Sequence, residues 1–456
     1  REKNMDLRKQ EEPSSSLKDN LSLKKYFGTD GIRGIPNESL TEEIVSKVCS
    51  SVEKILKPKT IALIADTRNS SEIISTWISK GFSDKVTIFN YGILPSGSMP
   101  ILLNELNHDM GIIISASHNP SEYNGIKLID KNGSKLTDEV EVLIETTMKT
   151  IDFPKKSSAI KDSDTGYENY KKFLDSINHV NFSQFNLVID SANGAAYKII
   201  REIIPVNEST ATFIANEPNG KNINENSGAT DTKNLIEIMK EGQLGISFDG
   251  DADRLIMIDE NKEVANGDVI IALLANYLSE IKKLDKKSVV STVMSNYGFK
   301  LAMKNNNFNL IETPVGDKYV AEAMKKHKVV LGGEQSGHII FSEYLPVGDG
   351  LVTFLLVLKA LNYFDTTLAD FRKQNIQEYP QKLINIQLEN TLNDEELEFI
   401  NQTAFELSNK KNLDGRYLIR NSGTEPLLRV LVEAKNSEEM ESFLDELLIK
   451  INAYLN

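Results

Sequence analysis

The chain has 456 residues, of which 40% are apolar and 26% charged, and its formal net charge is −14 at pH 7. This length exceeds what one hydrophobic core usually serves, so we expect several domains of an ordinary soluble protein. The acidic balance argues against nucleic-acid binding, which needs a basic face. No apolar run approaches the roughly 20 residues that span a bilayer, so no membrane association is expected. Cys49 is the only cysteine, which excludes an internal disulfide and fits a cytoplasmic location.

Residues 1–22 lack apolar periodicity, and we predict that they form a disordered leader. Folded structure is expected to begin near residue 23, just before the glycine-rich stretch Phe27-Gly28-Thr29-Asp30-Gly31-Ile32-Arg33-Gly34. Glycines allow close approach of a ligand, and the planar fork of Arg33 suits a phosphate. An ordinary turn with a structural pair of Asp30 and Arg33 fits these residues equally well.

Strands and helices alternate in the next stretch of the chain. Thr41 can cap a helix whose apolar residues form one stripe. Thr60–Asp66, Lys85–Tyr91 and Met110–Ile114 are predicted strands, with a helix around Ser71–Lys80 between the first two. Such alternation indicates a mostly parallel sheet with helices on both faces.

The same alternation begins twice more, so we predict three related α/β domains with mixed sheets. Their predicted ranges are 23–175, 176–272 and 273–374. Residues 375–456 alternate differently and indicate a C-terminal α+β domain with a partly antiparallel sheet. Because no linker rich in Pro, Gly or Ser separates these domains, we expect them to pack around a central cleft.

The predicted strand Met110–Ile114 runs into Ser115-Ala116-Ser117-His118-Asn119-Pro120. A loop held by a buried strand is a common place for a reactive hydroxyl, and Ser117 is our candidate. A serine nucleophile needs a neighbouring base or stabilising charge, which His118 and Lys127 can supply. The sequence has no GxSxG elbow, which argues against a hydrolase of that type. Taken alone, these residues also fit a capping serine with a structural histidine.

Three carboxylates stand at alternate positions in Asp249-Gly250-Asp251-Ala252-Asp253-Arg254, after another predicted strand. Alternate spacing with small residues between them lets three oxygens converge, which suits a hard cation such as Mg²⁺. The loop is not an EF-hand, because Arg254 and two apolar residues follow where that motif needs other residues. An acidic turn is the alternative, but three such carboxylates repel one another without a counterion.

Two further loops have a composition suited to a phosphosugar. Glu334-Gln335-Ser336-Gly337-His338 offers a carboxylate, an amide and a hydroxyl to sugar hydroxyl groups. Arg420-Asn421-Ser422-Gly423-Thr424-Glu425-Pro426 offers an Arg fork, hydroxyls and backbone N–H groups to an anion, and Arg429 adds charge. The loop Thr313–Tyr319 is similar but less specific. Each could be only a turn, yet together with Ser117 and the carboxylates they suit a phosphosugar mutase better than a kinase or phosphatase.

Five motifs in order carry a resemblance to a known family: FGTDGIRG (27–34), ISASHNP (114–120) with NGIK (124–127), DGDADR (249–254), GEQSGH (333–338) and RNSGTEP (420–426). The chain resembles the α-D-phosphohexomutase superfamily from about Tyr26 to its end. Gln335, EPNGKNIN (217–224) and MSNYGF (294–299) favour its phosphoglucosamine mutase branch. Ala252 departs from the glycine that many members of that branch have.

The resemblance implies four domains around a central cleft and a site of defined composition. Ser117 would be phosphorylated, and Mg²⁺ would be held by Asp249, Asp251, Asp253 and an oxygen of the phosphoserine. The other residues in this set are Arg33, Lys127 and His118 for catalysis, Arg254, Glu334 and Ser336 for the sugar, and Arg420, Ser422, Gly423 and Thr424 for the phosphate that does not react.

The implied activity is interconversion of glucosamine 6-phosphate and glucosamine 1-phosphate through a 1,6-bisphosphate, feeding the synthesis of UDP-N-acetylglucosamine. A phosphomannomutase or phosphoglucomutase is the alternative with the same chemistry. A catalytically idle protein that senses phosphosugars is the alternative from another class. The resemblance also suggests a cytoplasmic homodimer.

Overall fold

The computed structural model describes residues 24–205, 210–422 and 426–455. The predicted leader, residues 1–22, lies outside this range. The described chain forms two compact units. The larger unit contains residues 24–294 and 307–374, and the smaller unit contains residues 295–306 and 375–455.

The first sheet of the larger unit has six strands in the order β1-β5-β4-β2-β3-β6. Strands β2, β3, β4 and β6 are parallel, and β5 runs antiparallel between β1 and β4. The strands are β1 (Ile32–Gly34), β2 (Thr60–Ala65), β3 (Thr87–Ile93), β4 (Met110–Ile114), β5 (Asn124–Ile129) and β6 (Ala159–Asp162). The helices of this domain are α1 (Glu42–Leu56), α2 (Ser71–Gly81), α3 (Met99–Glu105), α4 (Asp138–Met148) and α5 (Thr165–Ile177).

Helix α1 illustrates how the local sequence determines an element and its packing. Thr41 accepts a hydrogen bond from the Ile44 N–H, and two glutamates occupy the positive end of the helix. The buried face of the helix includes Cys49 and lies against α2. Gly81 permits this close approach, because a Cβ there would lie 2.5 Å from the Cβ of Cys49. Cys49 is therefore a core residue.

The second sheet has the order β11-β10-β9-β7-β8, with β7, β8 and β9 parallel and β10 antiparallel to β9. Its elements are β7 (Asn186–Asp190), α6 (Ile199–Ile203), β8 (Thr210–Ile214), α7 (Lys233–Ile238), β9 (Leu244–Phe248), β10 (Leu255–Ile258) and β11 (Val264–Ala265).

The third sheet has the order β13-β12-β14-β15, with β12, β13 and β14 parallel and β15 antiparallel to β14. Helix α9 (Tyr297–Asn305) follows β12 in the chain but belongs to the smaller unit. The other elements are α8 (Gly267–Glu280), β12 (Ser288–Thr292), β13 (Asn309–Thr313), α10 (Asp317–His327), β14 (Leu331–Gly333), β15 (Ile339–Phe341), α11 (Gly350–Phe364) and α12 (Leu368–Asn375).

One arrangement recurs in all three sheets of the larger unit. A parallel strand at the edge of the parallel group, β4, β9 or β14, turns back into an antiparallel partner, β5, β10 or β15. The three connections hold residues 115–123, 249–254 and 334–338. These are the serine loop, the carboxylate loop and the sugar loop of the sequence prediction. The repetition confirms three related α/β domains with mixed sheets.

The smaller unit is an α+β domain with an antiparallel sheet in the order β16-β18-β17. Asn296, at the start of α9, donates to the Tyr379 carbonyl at 2.9 Å and to Glu433 Oε1 at 3.2 Å. Its elements after α9 are β16 (Gln381–Gln387), α13 (Asp394–Lys411), β17 (Gly415–Asn421), β18 (Leu427–Ala434) and α14 (Ser437–Leu455). Across the described chain, no single helix is both long and apolar enough to cross a membrane, and the one helix pair that passes together, α11 and α12, is bent by 77°.

Candidate active site

Ser117 is buried at the carboxyl end of β4, and its hydroxyl points at the carboxylate loop. Its Oγ donates to Asp249 Oδ2 at 2.5 Å. Its N–H donates to Ser115 Oγ at 2.8 Å, and Ser115 Oγ in turn donates to Asp66 Oδ2 at 2.6 Å. Ser115 therefore fixes the turn, and Ser117 offers its side chain to the carboxylates.

The carboxylates of Asp249, Asp251 and Asp253 converge in the loop after β9. Each offers a ligand oxygen, and these oxygens lie within 4.8 Å of one another. All three residues are buried, and within the described chain Asp251 Oδ1 and Asp253 Oδ1 have no hydrogen-bond partner. Burial, reinforced by the repulsion from Asp253 and Asp251, raises the pKa of Asp249 well above its usual range. Converging carboxylate oxygens with unused lone pairs fit a hard divalent cation such as Mg²⁺.

Lys127 supplies positive charge from β5. Its Nζ lies 2.6 Å from Asp251 Oδ2, 3.1 Å from Asp253 Oδ2 and 3.0 Å from Asp30 Oδ2. Burial alone would lower the pKa of Lys127, but the three carboxylates outweigh it and raise that pKa well above its usual range. Arg33 forms an ion pair with Asp30 and donates to Asn119 Oδ1 at 3.1 Å.

Lys127 belongs to a closed set of alternating charges that we call the charge ring. Lys135 Nζ lies 2.5 Å from Asp30 Oδ1 and 2.6 Å from Asp317 Oδ2. Two longer contacts complete the ring, from His338 Nε2 to Asp317 Oδ2 at 3.4 Å and from His338 Nδ1 to Asp253 Oδ2 at 3.6 Å. The ring consists of Asp30, Lys127, Asp253, His338, Asp317 and Lys135.

The charge ring holds His338 in its protonated form. Burial would lower the pKa of His338, but the carboxylates of Asp317 and Asp253 raise it to about 9. In the same way, burial would raise the pKa of Asp30, but Lys127, Lys135 and Arg33 hold it well below its usual range. The sequence prediction does not assign a role to Lys135 or to Asp317, although Asp317 lies in the loop Thr313–Tyr319 that the prediction noted.

His118 lies beside Ser117 but is not close enough for a strong hydrogen bond, since Ser117 Oγ and His118 Nδ1 are 3.5 Å apart. Burial, together with the nearby charges of Arg254 and Arg33, lowers the pKa of His118 to about 4. The imidazole is therefore neutral near pH 7.

The sugar loop lies against the carboxylate loop. Arg254 and His338 form an antiparallel backbone bridge, and the Leu255 N–H donates to the Gly337 carbonyl at 3.0 Å. Gly337 has a φ of 90°, and a Cβ there would lie 2.3 Å from the Leu255 carbonyl oxygen, so only glycine fits. Glu334 is buried and accepts from the Gly316 N–H at 3.0 Å, whereas Ser336 is exposed. Burial raises the pKa of Glu334.

The loop predicted to bind an anion, residues 420–426, begins at the end of β17 in the smaller unit, and we call it the anion loop. Arg420 and Arg429 are direct cross-strand neighbours, and neither has an ion pair within the part of the chain that the structure describes. Burial, followed by the charge of Arg429, lowers the pKa of Arg420. Ser422 is buried, and among the described residues its Oγ has no partner. Gly423 and Thr424, also predicted for this loop, lie outside the described residues.

Four family models match the chain, all of them domains of phosphoglucomutase/phosphomannomutase. The α/β/α domains I, II and III match residues 24–155, 168–263 and 266–379, and the C-terminal domain matches residues 383–450. The chain belongs to the phosphoglucomutase/phosphomannomutase family. The predicted resemblance to the phosphohexomutases and the four-domain fold class are thus confirmed, while the domain boundaries drawn from the sequence stay a prediction.

Curated relatives place the chain in the phosphoglucosamine mutase branch of this family, as the motifs predicted. Phosphoglucosamine mutase of Alkaliphilus oremlandii (strain OhILAs) is 38% identical over 95% of this chain and 100% of the relative. Phosphoglucosamine mutase of Streptococcus mutans serotype c is 37% identical over 93% of this chain and 97% of the relative. The predicted enzyme class, an isomerase of the phosphohexomutase family, is confirmed by these matches.

Solved structures share the fold at lower identity. A putative phosphomannomutase from Thermus thermophilus superposes with a TM-score of 0.75 at 21% identity, covering 93% of this chain and 98% of that one. Aspergillus fumigatus N-acetylphosphoglucosamine mutase, solved in complex with GlcNAc-6P and magnesium, gives a TM-score of 0.67 at 17% identity, covering 98% of this chain and 100% of that one.

Proposed function

We propose that the chain interconverts glucosamine 6-phosphate and glucosamine 1-phosphate, with Ser117 as the phosphoryl carrier. The observation that carries the proposal is the position of the Ser117 hydroxyl, buried and 2.5 Å from Asp249 Oδ2, where three carboxylates converge. Two oxygens of this cluster, Asp251 Oδ1 and Asp253 Oδ1, have no hydrogen-bond partner among the described residues and are free to bind a cation beside that hydroxyl. A phosphate on Ser117 would share a divalent cation with these carboxylates, and this requirement explains the arrangement.

The reaction consists of two phosphoryl transfers of the same kind. In the first, the bond between phosphorus and Ser117 Oγ breaks, a bond forms from phosphorus to the oxygen of a sugar hydroxyl, and the proton of that hydroxyl passes to Ser117 Oγ. The resulting glucosamine 1,6-bisphosphate turns in the site. Its other phosphoryl group then returns to Ser117 Oγ, and the proton of the Ser117 hydroxyl passes to the released sugar oxygen. A covalent carrier thus divides the isomerisation into two equivalent displacements.

Asp249, Asp251 and Asp253 would hold one Mg²⁺ ion together with an oxygen of phosphorylated Ser117. The ion would supply Lewis-acid stabilisation for charge on the transferring phosphoryl group. Lys127 carries a proton in its carboxylate surroundings, so we assign to Lys127 and Arg33 stabilisation of the same charge from the protein. We assign to His118, whose imidazole is neutral and whose Nδ1 lies 3.5 Å from Ser117 Oγ, the role of orienting the Ser117 hydroxyl as a hydrogen-bond acceptor.

The remaining predicted residues would bind the phosphosugar. Glu334 and Ser336 would contact sugar hydroxyls, and Arg254 would contact the substrate beside the carboxylate loop. Arg420 and Ser422, with Gly423 and Thr424, would bind the phosphate that does not react. Two uncompensated arginines on neighbouring strands repel each other, and a bound phosphate dianion relieves that repulsion, which supports the assignment.

Intact mass and activity of Ser117→Ala test the proposal. Wild-type protein should carry one phosphate that maps to Ser117, and the variant should carry none and lose all measurable turnover with an unchanged far-UV circular dichroism spectrum. Near-normal turnover in the variant would refute the mechanism.

Separate measurements test the identity of the sugar, the oligomeric state and the location in the cell. Comparison of kcat/KM for the phosphates of glucosamine, mannose and glucose distinguishes the proposed activity from a phosphomannomutase or phosphoglucomutase. Light scattering tests the proposed homodimer, and cell fractionation tests the proposed cytoplasmic location.

A further inference from the structure

The backbone of Ser117 is strained. Its φ is 49°, in the left-handed region that side chains other than glycine rarely occupy. Such a conformation costs about 1–2 kcal/mol and persists only where the surroundings hold it in place. The contacts of the Ser117 carbonyl therefore indicate what keeps its hydroxyl aimed at Asp249.

Arg68 is the first of these contacts. It follows β2 in the same domain, is buried, and pairs its Nε with Asp66 Oδ2 at 3.0 Å. Its remaining four N–H groups all reach carbonyl oxygens of the serine loop. The acceptors are Ser117 at 3.0 Å, Asn119 at 2.8 Å, Pro120 at 2.5 Å and Tyr123 at 3.0 Å. All five donors of the guanidinium are thus used, and four of them hold this loop.

Asn224 is the second contact and comes from the second α/β domain. Its Nδ2 donates to the carbonyl oxygens of Ser117 and Asn119, both at 2.9 Å. Asn224 ends the stretch 217–224, which is tied to the first domain by a hydrogen bond of 3.0 Å from the Asn69 N–H to the Gly220 carbonyl. The backbone of Asn224 is also left-handed, with a φ of 58°, and its N–H donates to the Ala192 carbonyl at 2.8 Å.

The Ser117 carbonyl also packs directly against the carboxylate loop. A Cβ at Gly250 would lie 2.5 Å from the Ser117 carbonyl oxygen, so glycine is required for the two loops to meet. Any rotation of this carbonyl therefore moves Ser117 relative to the carboxylates. Displacements of about 1 Å in a reacting group can cost 100-fold in rate.

We propose that Arg68 and Asn224 are positioning residues for phosphoryl transfer. From two domains they hold the Ser117 carbonyl, stabilise its left-handed backbone and so keep its side chain directed at the carboxylate loop. This inference rests on the proposed function of Ser117 as phosphoryl carrier. It also gives a role to the stretch 217–224, which delivers the Asn224 amide to the serine loop.

Asn224→Gly is the cleanest test, because glycine accepts a φ of 58° and the substitution removes only the amide. Asn226→Gly is its matched control. Asn226 also has a left-handed backbone, with a φ of 48°, but its side chain is exposed and makes no hydrogen bond to any described residue. We expect Asn224→Gly to lower kcat by about 10- to 100-fold with KM changed less than about twofold, in line with a misplaced reacting group. The control should change neither parameter.

Single-turnover transfer from phosphorylated protein to glucosamine 1-phosphate and thermal melts separate positioning from folding. The inference is supported if transfer slows in Asn224→Gly by the same factor as kcat while the melting temperature stays close to that of the control. It is overturned if kcat stays within about twofold of wild type, if the loss tracks the folded fraction, or if Asn226→Gly loses as much. Absence of phosphate on wild-type Ser117 is a different result, because it refutes the proposed function itself.

Arg68→Lys gives a second measurement in the same assay. Lysine keeps the charge but cannot donate in the planar five-fold pattern, so it should lower kcat at least as much as Asn224→Gly. If folded Arg68→Lys has the same kcat as the wild-type protein, Arg68 is not a positioning residue.

Discussion

The charge ring of the larger unit and the anion loop of the smaller unit differ in whether their positively charged side chains have carboxylate partners. In the charge ring every cation faces carboxylates, and Lys127 alone lies within 3.1 Å of three of them. Beside the anion loop, Arg420 on β17 and Arg429 on β18 lie next to each other and have no carboxylate partner within the described residues. The protein neutralises the charges of the first region, whereas in the second region it supplies no described counterion; the proposed function assigns that role to a phosphate.

This difference matches two proposed functions, phosphoryl transfer at the charge ring and phosphate binding at the anion loop. Buried carboxylates and cations that hold one another keep a fixed geometry, which phosphoryl transfer requires. Under the proposed function, the unpaired arginines would bind either phosphate of a substrate that presents its two ends in turn. Removing a charge from the ring should therefore cost both rate and stability, and removing one from the anion loop should cost affinity alone.

The largest effect is expected for Lys127→Met. The variant leaves Asp30, Asp251 and Asp253 without their shared cation, so its unfolding free energy should fall by about 3–5 kcal/mol. We expect kcat to fall about 10²- to 10³-fold, the scale seen when one charge-stabilising donor is removed. Urea denaturation followed by circular dichroism and a coupled assay measure the two effects.

Lys135→Met is the matched control for that variant. Lys135 also belongs to the charge ring, but its contacts are with Asp30 and Asp317 and not with Asp251. Its kcat should fall much less. Equal losses in both variants would show that the ring acts through its total charge and not through the position of Lys127.

Asp349 is a buried carboxyl group whose hydrogen-bond partners are all neutral, in contrast to the ion-paired carboxylates of the charge ring. Asp349 accepts from the N–H groups of Leu351 and Val352 at the start of α11 and from the Tyr170 hydroxyl at 2.7 Å. Burial exceeds the effect of these bonds and raises the pKa of Asp349 to about 6. The folded protein then binds a proton more tightly than the unfolded chain, so stability is lost as the pH rises from the ordinary value of 3.8 to about 6.

Asp349→Asn should remove that loss. Two units of pKa correspond to about 3 kcal/mol, of which about half falls between pH 5 and pH 7.5. Over that interval we expect the unfolding free energy of the variant to rise relative to wild type by about 1–2 kcal/mol. Asp365→Asn, which replaces an exposed aspartate at the other end of α11, is the matched control. A flat difference between wild type and Asp349→Asn would contradict the raised pKa.

The sequence predicts the loops of the site because each has a local signature. A buried strand followed by polar residues at close spacing marks Ser117, the three aspartates and Glu334. Helix α13 is absent from the prediction, although its capping box of Asn393 and Glu396 and the apolar spacing of its buried residues are readable in the sequence.

Residues that contact the site from distant parts of the chain have no such signature. Arg68 reaches the Ser117 carbonyl over 49 positions and Asn224 over 107, and Lys135 reaches Asp317 over 182. No spacing in the sequence encodes these pairs, because the fold alone brings them together. The same reason explains why the sequence suggests His118 as the neighbour of Ser117, while the tighter contact in the structure is with Asp249.

Arg420→Ala tests the anion loop, whose arginines have no carboxylate partner among the described residues. Loss of one phosphate-binding fork should raise KM for the phosphosugar by about 10- to 30-fold and change kcat less. Stability should stay the same or rise by a few tenths of a kcal/mol, because a like-charge pair is removed. Inorganic phosphate should raise the melting temperature of wild type and have little effect on the variant.

Arg416→Ala is the contrasting variant on the same strand. Arg416 pairs with the buried carboxylate of Glu433, so its loss should destabilise the smaller unit and leave KM unchanged. If both arginine variants raised KM alike, the distinction between paired and unpaired arginines in this sheet would be wrong.

His118→Asn should have the smallest effect. The pKa of His118, lowered to about 4 by burial and by Arg254 and Arg33, keeps the imidazole neutral throughout the range from about pH 5.5 to 8. Asparagine presents a comparable acceptor to the Ser117 hydroxyl, so we expect kcat to fall about threefold, with the shape of the kcat–pH profile unchanged. A general base with an ordinary pKa near 6.5 would instead produce an acidic limb that disappears in the variant. Such a change would mean that the neutral imidazole beside Ser117 gains a proton during turnover, and Asp249 would then lose its place as the main partner of the hydroxyl.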